Sequence, residues 1–439
     1  MGLAQFGHGV SAQAIGLARI RPHVRVVPAI PSTRRSAMAQ GQQQIVIVGA
    51  GPAGMMLAYQ LASNGIGVRV LERHPDFTRE FRGELMQRSV IDELEKAGIF
   101  RVLVERGLAL PNIERRMFVG LKRRVQIPGP VEVGAIISQP GYLGLLHELC
   151  SAFPNYRLDF GTTALEAVRR NGRVVAVKTR HEQAEGEVTG DLFVVCNGRN
   201  SALRKSCGLL TELFPSTADA LWLRFDFSDA PGAIPTSLNV HMLGKGVVTV
   251  LSPSSANRLH IAYSAPGDLG RLRKDVPALR RALLPTLSGD VRRLVDAKLD
   301  ESTESQMLKI IVDRVRSWHA PGILFLGDAA HTMSPSGGQG LNVAIRDTFV
   351  AANVLIPKLR RGEPIDAEVL QQIQNERQPE IAVLQKNQTR AGQMVLKPAP
   401  VLHVMMTMLG LAMRVMGKKI RAGHGIAPPT PKYLTPVRK

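Results

Sequence analysis

Residues 44–72 read QIVIVGAGPAGMMLAYQLASNGIGVRVLE, and this stretch decides the fold. Its apolar run at positions 45–48 is typical of a strand buried on both faces. A G-x-G-x-x-G turn follows from Gly49 to Gly54, and a helical pattern then leads to a second apolar strand ending in Glu72. Strand, glycine turn, helix and strand form a βαβ unit, which predicts a dinucleotide site.

The glycine turn suits a bound pyrophosphate. Gly49 permits the tight turn, Gly51 allows the pyrophosphate to approach the backbone, and Gly54 allows the helix to pack closely on the strand. The N-terminus of the helix adds free N–H groups and a partial positive charge, while Glu72 lies where a carboxylate accepts from a ribose hydroxyl. The predicted contacts in this unit are Gly49, Ala50, Gly51, Pro52, Ala53, Gly54, Glu72 and Arg73.

Composition places the chain among ordinary globular proteins. Its 439 residues are enough for two or three domains, and 44% of them are hydrophobic. The three cysteines, Cys150, Cys196 and Cys207, are far apart, which argues for a reducing compartment and predicts a cytoplasmic protein without a disulfide framework. No clustered His or Cys spacing suggests a metal site.

The two ends of the chain are basic. Residues 1–40 contain five Arg, residues 381–439 contain ten Lys or Arg, and neither segment contains Asp or Glu. Basic ends favour an anionic membrane surface or nucleic acid, but solvated tails explain them equally well and no nucleic-acid module is recognisable. Residues 1–40 have the composition of a mitochondrial transit peptide, or form an upstream extension before Met38, and are predicted to be disordered.

A second domain interrupts the first. Four apolar segments at 221–227, 237–242, 246–251 and 258–263 recur at about ten-residue spacing, which predicts an antiparallel sheet. The predicted fold class is α/β, a Rossmann-like nucleotide-binding domain with an inserted antiparallel β-sheet substrate domain and a helical C-terminus. The predicted nucleotide-binding domain is discontinuous and takes 41–113, 138–212 and 308–360. The substrate domain takes 114–137 and 213–307, and the C-terminal region with its basic tail takes 361–439.

The C-terminal region contains a methionine-rich segment. Val404–Met416 holds five Met, and Lys418, Lys419 and Arg421 follow. The apolar run is too short to span a bilayer. It predicts either a basic amphipathic helix on a membrane surface or a helix packed on its own protein.

Three separated motifs together resemble one known family. The glycine turn at Gly49–Gly54 comes first, a strand ending in NGRNSALR at 197–204 lies in the middle, and GDAAHTMSPSGGQGLN at 327–342 lies near the end. This set resembles the flavoprotein aromatic hydroxylases typified by p-hydroxybenzoate hydroxylase, which are single-component FAD monooxygenases. The resemblance covers residues 42–395.

The resemblance implies site residues. The glycine turn and Glu72 would hold the ADP half of FAD, Arg82 the pyrophosphate, and Asp328 the ribityl or ribose hydroxyls. Gln139 resembles the family's polar FAD contact at the start of a helix. The residues expected against the flavin ring, and counted as catalytic, are Pro335, Gly338, Gly340, Leu341 and Asn342.

The middle motif departs from the family pattern. Asn197-Gly198 stands where the family usually has Asp-Gly. Because the resemblance ties this motif to both FAD and the nicotinamide cofactor, the lost charge affects NADPH binding more than FAD binding. Asn197 and Gly198 remain predicted cofactor contacts.

The resemblance also implies the reaction. NAD(P)H and O2 would be used to hydroxylate or epoxidise an electron-rich aromatic through a flavin C4a-hydroperoxide. Sparse polar groups in the inserted sheet suggest a hydrophobic substrate such as a phenol, a polyketide or a prenylated quinolone of secondary metabolism. The candidate substrate contacts are Arg224, His241, Thr249, His260 and Tyr263.

Other functions remain open from the sequence. One alternative is a prenyl-chain reductase or an epoxidase of the same fold, and an epoxidase would share the hydroperoxide step. A membrane-tethered FAD-binding protein with little turnover is favoured by Asn197. A flavin-dependent halogenase is disfavoured, because Trp222 and Trp318 do not form its W-x-W-x-I-P segment.

Overall fold

A computed structural model describes residues 44–437, except 79–84, 121–124, 127–130, 216–218, 231, 256, 288 and 416–426. The extension at 1–40 and Arg82 therefore lie outside the described residues. Lys418, Lys419 and Arg421 lie outside them as well.

The strands of the described residues run in chain order. They are Gln44–Val48 (β1), Gly67–Leu71 (β2), Leu85–Gln87 (β3), Ala109–Val119 (β4), Val125–Gln126 (β5), Val131–Ile137 (β6), Tyr156–Asp159 (β7), Thr162–Arg170 (β8), Arg173–His181 (β9), Ala184–Thr189 (β10), Leu192–Val195 (β11), Thr211–Phe214 (β12), Ala220–Asp226 (β13), Leu238–Gly244 (β14), Val247–Ser255 (β15), Arg258–Ser264 (β16), Ser305–Leu308 (β17), Val312–Val315 (β18), His319–Ala320 (β19) and Ile323–Phe325 (β20).

The helices are interspersed among these strands, and the last three helices follow the final strand. They are Pro52–Ser63 (α1), Arg88–Lys96 (α2), Ile99–Glu105 (α3), Gln139–Ser151 (α4), Ala202–Ser206 (α5), Leu269–Lys274 (α6), Val276–Leu283 (α7), Gly289–Lys298 (α8), Gln339–Arg360 (α9), Ala367–Val395 (α10) and Ala399–Val415 (α11). Short 3-10 turns lie at Leu284–Thr286 and Gly327–Ala329.

The parallel sheet has the strand order β19-β20-β11-β1-β2-β7, and all of its pairs are parallel except β19–β20. Ile45 and Ile47 on one side pack with α1, α4 and α9. Val46 and Val48 on the other side pack with Val177 of β9, so a small antiparallel sheet of β8, β9 and β10 covers that face. Cover on both faces explains the uninterrupted apolar run at 45–48, and the predicted Rossmann-like fold is confirmed.

The large mixed sheet has the order β17-β13-β16-β15-β14-β4-β6-β3, with β5 paired to β4. The predicted inserted sheet is confirmed, with one difference: β14 runs parallel to β4, so the sheet is not wholly antiparallel. It also takes in 85–87 and 109–113, which the predicted boundaries give to the nucleotide-binding domain. Gly134 of β6, at φ +131°, permits the pairing of β6 with β3, because a Cβ at this position would lie 2.0 Å from the Met86 carbonyl oxygen.

The two faces of the large mixed sheet have different neighbours. Leu223, Leu251 and Ile261 belong to a core that also contains Leu283 of α7 and Val295 of α8. The opposite face looks onto the parallel sheet across a cavity. The helices α10 and α11 follow, and no helix in the described ranges is long and apolar enough to cross a membrane.

A final segment, residues 427–437, returns to the nucleotide-binding domain and is called the C-terminal strap. Tyr59 of α1 donates from its hydroxyl to the Thr435 carbonyl at 2.8 Å. The Asn64 amide donates to the Tyr433 carbonyl at 3.1 Å, and the Val437 N–H donates to the Ala97 carbonyl at 2.9 Å. The strap therefore joins the end of the described chain to its first helix, which the sequence did not predict.

Candidate functional site

A cavity of about 1530 Å³ lies between the parallel sheet and the large mixed sheet. One wall is formed by loops that follow β1, β11 and β20, where the carboxyl ends of parallel strands meet. This cofactor wall carries the predicted residues Gly49, Gly51, Pro52, Ala53, Glu72, Arg73, Gln139, Asn197, Gly198, Asp328, Pro335, Gly338, Gly340 and Leu341. The sheet wall, opposite, is formed by the large mixed sheet, by the C-terminal end of α10 and by Met406 in the middle of α11.

The glycine turn is closed by neighbouring backbone. Gly49 has φ +103°, and a Cβ there would lie 2.7 Å from the Asn197 Cα. A Cβ at Gly54 would lie 1.9 Å from the Gly49 carbonyl oxygen. Neither Gly54 nor Ala50 lines the cavity. They keep the turn tight beneath the positions that do line it, which are Gly49 and residues 51–53.

Glu72 fastens the glycine turn to the second strand. Its buried carboxylate accepts from the Ala50 N–H at 2.7 Å and from the His74 N–H at 3.0 Å. A carboxylate retains further acceptor positions after two such bonds, and Glu72 lines the cavity. It can therefore accept from a hydroxyl of a bound molecule without giving up its structural bonds.

Three amide oxygens at the cavity are buried and have no hydrogen-bond partner among the described residues. They belong to Gln139, Asn197 and Gln339. Buried polar atoms are ordinarily satisfied, so these oxygens fit a ligand rich in hydroxyl and N–H donors. With the glycine turn, this donor and acceptor set fits a flavin dinucleotide.

The turn at 327–331 that carries Asp328 is held by a buried ion network. The Asp347 carboxylate accepts from the Gly327 N–H at 2.9 Å, from His331 Nε2 at 2.8 Å and from Arg377 Nε at 2.9 Å. Burial alone would raise the pKa of Asp347, but the adjacent His331 and Arg377 outweigh it and lower that pKa. The anionic Asp347 thus fixes the turn from behind.

Arg204 joins the middle motif to the third one and also forms a second buried ion pair. Arg204, the last residue of the middle motif, donates to the Ala329 carbonyl at 2.7 Å. It also forms a bidentate pair with Asp313, at 2.9 and 3.2 Å. Bidentate pairing fixes orientation as well as distance, so the two motifs are held in one geometry.

Glutamines of α10 and one asparagine of α9 hold the loop at 332–338. Gln388 accepts from the Ser334 N–H at 3.0 Å, and Gln385 donates to the Thr332 carbonyl at 3.0 Å. Asn342 accepts from the Gln87 N–H at 2.7 Å and donates to the carbonyls of Leu85 and Gly338. Asn342 was predicted to contact the flavin, but its side chain is fully buried, lies outside the cavity lining and braces the loop.

The loop ends at the N-terminus of α9. Gly338 is the N-cap in the left-handed region, at φ +61°, and a Cβ there would lie 2.9 Å from Leu85 Cδ2. The N–H groups of Gly340 and Leu341 fall in the first helical turn, where no intrahelical acceptor exists. They present a partial positive charge to the cavity.

The sheet wall follows the alternation of its strands. Cross-strand pairing sets Met117, Val240, Val250, Ala262 and Trp222 in one row, and every member lines the cavity. The row crosses five strands, about 19 Å at ~4.8 Å between neighbours. It is therefore a broad, apolar wall.

Because successive side chains of a strand point to opposite faces, the five candidate substrate residues fall on two different faces of the large mixed sheet. His241, Thr249 and Tyr263 alternate with the lining residues and point to the opposite face, where His241 stacks on Phe118 at 4.7 Å between ring centroids. Arg224 and His260 share the face of Trp222, but Arg224 pairs with Glu304 and neither lines the cavity. None of the five therefore lines the cavity. Composition alone could not predict this, because it does not give the strand register.

Similarity to known proteins agrees with this geometry. The sequence profile of a family described as FAD binding domain matches residues 42–387. The chain belongs to this family. The predicted FAD-dependent monooxygenase is thereby confirmed, with FAD as cofactor and NAD(P)H as electron donor.

Two relatives of the monooxygenase are named for aromatic substrates, and a third is named for squalene, which is not aromatic. The 6-methylpretetramide 4-monooxygenase of Streptomyces rimosus is 29% identical over 369 residues, which cover 80% of this chain and 84% of the relative. The 6-hydroxy-3-succinoylpyridine 3-monooxygenase of Pseudomonas putida is 26% identical over 340 residues, 74% of this chain and 82% of its own. A squalene monooxygenase of Panax ginseng is 26% identical over 73% of this chain and 59% of its own length.

Solved structures share the fold. Pseudomonas aeruginosa PqsL, in complex with 2-aminobenzoylacetate, superposes with a TM-score of 0.71 at 19% identity, covering 84% of this chain and 99% of PqsL. The p-nitrophenol 4-monooxygenase of Pseudomonas putida gives a TM-score of 0.71 at 16% identity over 85% and 96% of the two chains.

Sequence reasoning missed the bracing residues of the monooxygenase. Arg377, Gln385 and Gln388 lie in the predicted helical C-terminal region, and Asp347 lies in the predicted nucleotide-binding domain. No role was assigned to any of them. A signal existed, because polar residues at 377, 380, 385 and 388 recur at helical spacing among apolar ones. A polar stripe of this kind on a buried helix indicates partners in a neighbouring loop.

Proposed function

We propose that this monooxygenase hydroxylates or epoxidises a hydrophobic, multi-ring aromatic substrate of the polyketide or quinolone type. The observation that carries the proposal is the apolar row on the sheet wall, about 19 Å across. Ligand pockets are commonly about 300–1,000 Å³, so a cavity of about 1530 Å³ accommodates a large substrate beside the cofactor. The relative named for 6-methylpretetramide supports the same substrate class.

Among the described residues, those that would hold FAD line the cofactor wall. Glu72 and Asp328 would accept from its hydroxyls, and the N–H groups after Gly49 would face the pyrophosphate. Gln139 and Asn197 offer buried amide oxygens that lack partners among the described residues. Arg82 and Arg73 keep their predicted roles at the pyrophosphate and the ADP half.

Oxygen activation is supplied by bound FAD. The protein contributes binding, orientation and the exclusion of water. The N–H groups of Gly340 and Leu341 would stabilise negative charge on the flavin ring. Pro335 and the apolar row would hold the substrate ring nearby. Burial raises the pKa of the Cys196 thiol, which disfavours this thiol as a nucleophile.

The test is NADPH oxidation by the purified holoenzyme with matched pairs of aromatic compounds. Two- to four-ring phenols and quinolones are expected to stimulate it and to give products heavier by one oxygen atom. Single-ring hydrophilic phenols are expected to stimulate it less. A preference for the single-ring compounds would contradict the proposed substrate class, and no stimulation by either class would favour the low-turnover alternative.

We also propose that α11 rests on an anionic membrane surface and that the protein is otherwise cytoplasmic. Leu402 and Met406 of this helix are buried, whereas Val404, Met405 and Met408 are exposed on its outer side. Basic residues follow in the sequence, and lipophilic substrates partition into bilayers. An apolar helix face next to cationic residues is the arrangement that binds anionic lipid.

Vesicle co-sedimentation tests this contact. We expect binding to vesicles with a third of phosphatidylserine, weaker binding to pure phosphatidylcholine, and loss of binding in Met408→Glu. Val104, exposed on α3, provides the matched control Val104→Glu. Equal binding of both variants would contradict the assignment of α11 as the contact.

A further inference from the structure

Methionines are concentrated around the cavity. The sequence contains 15 of them, and six line the cavity: Met117, Met242, Met307, Met333, Met394 and Met406. By contrast, Met55, Met56 and Met86 are fully buried outside the cavity lining, and Met408 is exposed on the outer side of α11. The six cavity methionines are therefore the thioethers that share a space with the site of oxygen activation.

Four of the six form one group, called here the methionine cluster: Met117, Met242, Met394 and Met406. Met242 and Met406 are buried together, and the other two pack against them. Met117 of β4 and Met242 of β14 lie on adjacent strands, because Met242 pairs with Val119, two residues beyond Met117. The cluster thus reaches from the sheet wall to the end of α10 and the middle of α11.

The methionine cluster is also the seam between α11 and the large mixed sheet. Ahead of α11 the connection is made by backbone, since the Lys245 N–H donates to the Lys397 carbonyl at 3.0 Å and the Gly246 N–H to the Val395 carbonyl at 2.9 Å. Among the side chains that the structure describes on α11, none forms a hydrogen bond or an ion pair. Apolar packing of Leu402 and Met406 therefore holds the helix to the sheet.

Thioethers are oxidised to sulfoxides by peroxides. When no substrate takes up oxygen, reduction of O2 by NAD(P)H yields NAD(P)+ and hydrogen peroxide, a side reaction that active sites have to limit. The methionine sulfur attacks one peroxide oxygen, so that an S–O bond forms while the O–O bond breaks. The other oxygen leaves as water with the proton that the attacked oxygen gives up. The sulfur is oxidised by two electrons and the peroxide is reduced by two.

We propose that the methionine cluster is a site of oxidative modification, at which peroxide formed in the cavity converts the thioethers to sulfoxides and loosens α11 from the large mixed sheet. A sulfoxide is polar and disrupts a Met-rich contact, because a buried polar group without a partner is costly. Turnover without substrate thereby opens one end of the cavity. The inference goes beyond the proposed function and holds for any substrate, since it depends only on the oxygen chemistry of the family.

The first test maps the oxidised methionines by peptide mass spectrometry. The holoenzyme, without substrate, passes through cycles of chemical reduction under nitrogen and mixing with isotopically labelled oxygen gas, so the rate of reaction with NADPH does not matter. Catalase in the solution destroys the peroxide that leaves the cavity. Labelled oxygen is expected in Met242 and Met406 at least about tenfold more often than in Met408, because oxidation follows access to the oxidant.

Peroxide added from outside, without reduction of the flavin, is the control. The order should then reverse, because Met408 is 67% exposed whereas Met242 and Met406 are each 3% exposed. Met55, at 0% exposed, is expected to remain a thioether in both experiments. Failure of the cluster to take up label in the catalase experiment overturns the proposal, whether or not Met408 is labelled.

The second test measures the attachment of α11. After the same cycles the melting temperature of wild type is expected to fall by about two to four degrees, and protease cleavage within α11 to increase several-fold. The double variant Met242→Leu with Met406→Leu conserves apolar volume and cannot be oxidised at these positions, so both values should stay unchanged. Met408→Leu is the matched control and should respond as wild type does.

The two tests are independent. An equal fall of melting temperature in wild type and in the double variant would overturn the loosening of α11 by the cluster, because oxidation elsewhere would then be the cause. The peptide map is obtained from wild type alone, so it does not depend on how well the double variant folds. Neither measurement involves product formation, and failure to oxygenate a multi-ring compound would count against the proposed function alone.

Discussion

The two walls of the cavity are built by opposite means. The cofactor wall consists of tight turns whose backbone groups point inward and whose bracing side chains lie behind, as Asp347 does for the turn that carries Asp328. The sheet wall consists of side chains from regular strands, with Val240 and Val250 in the cavity. Backbone geometry defines the first wall, and strand alternation defines the second.

This difference determines how each wall responds to change. A side chain added to a tight turn collides with backbone that cannot move. A side chain trimmed on the sheet wall only widens a space that already accepts a ligand. Substitutions on the cofactor wall should therefore affect FAD retention and stability, whereas those on the sheet wall should affect substrate affinity.

The largest effect is expected from Gly54→Ala. The new Cβ would lie 1.9 Å from the Gly49 carbonyl oxygen, so the glycine turn must open. We expect FAD affinity to fall by at least about 100-fold, measured by flavin fluorescence after dialysis. Gly144→Ala in α4 is the control, because a Cβ there meets nothing within 4 Å. Retained FAD in Gly54→Ala would show that this turn is less rigid than the backbone contact implies.

Arg377→Met tests the bracing behind the cofactor wall. It leaves Asp347 and Glu380 buried without their shared cation. Breaking a buried ion pair costs about 3–5 kcal/mol, which chemical denaturation will measure. Lys386→Met, exposed on the same helix, should change the free energy of unfolding by less than about 0.5 kcal/mol. Equal losses in both variants would contradict the bracing role.

Adjacent residues of β15 test the two faces of the large mixed sheet. Leu251→Ala removes a side chain packed on the helices and should cost about 2–5 kcal/mol of stability with little change in KM. Val250→Ala, on the cavity side, should raise KM several-fold with a smaller loss of stability. The opposite assignment of the two effects would mean that the strand register differs from that described.

The smallest effect is a dependence of stability on acid pH. His331 and Arg377 lower the pKa of Asp347 despite its burial. The folded state therefore binds fewer protons than the unfolded state, and the stability that Asp347 contributes is present above about pH 4 and is lost as pH falls through the lowered pKa. Asp347→Asn should show a shallower decline of melting temperature between pH 5 and 3, about one to two degrees less. An equal decline of melting temperature in wild type and Asp347→Asn would exclude Asp347 as a source of the acid sensitivity.

The cofactor wall was the more predictable of the two. Gly49, Gly54 and Glu72 are recognisable because their roles fix both residue type and spacing. Asn342 was predicted to lie against the flavin ring, and the bonds that its side chain makes to β3 were not anticipated, because the sequence did not reveal that strand. His241 and Tyr263 were chosen for chemistry alone, and a register set by pairing with distant strands decides which face they occupy.

The C-terminal strap has a consequence for biosynthesis. Tyr59 bonds to Thr435, 376 positions later, and β1 pairs with β11, which in turn pairs with β20. The first βαβ unit therefore emerges from the ribosome long before most of its neighbours exist, with apolar strand edges exposed. Contacts so distant in sequence slow folding. We expect the nascent chain to depend on chaperones until β20 has been synthesised, and the strap to be the last part to lock into place.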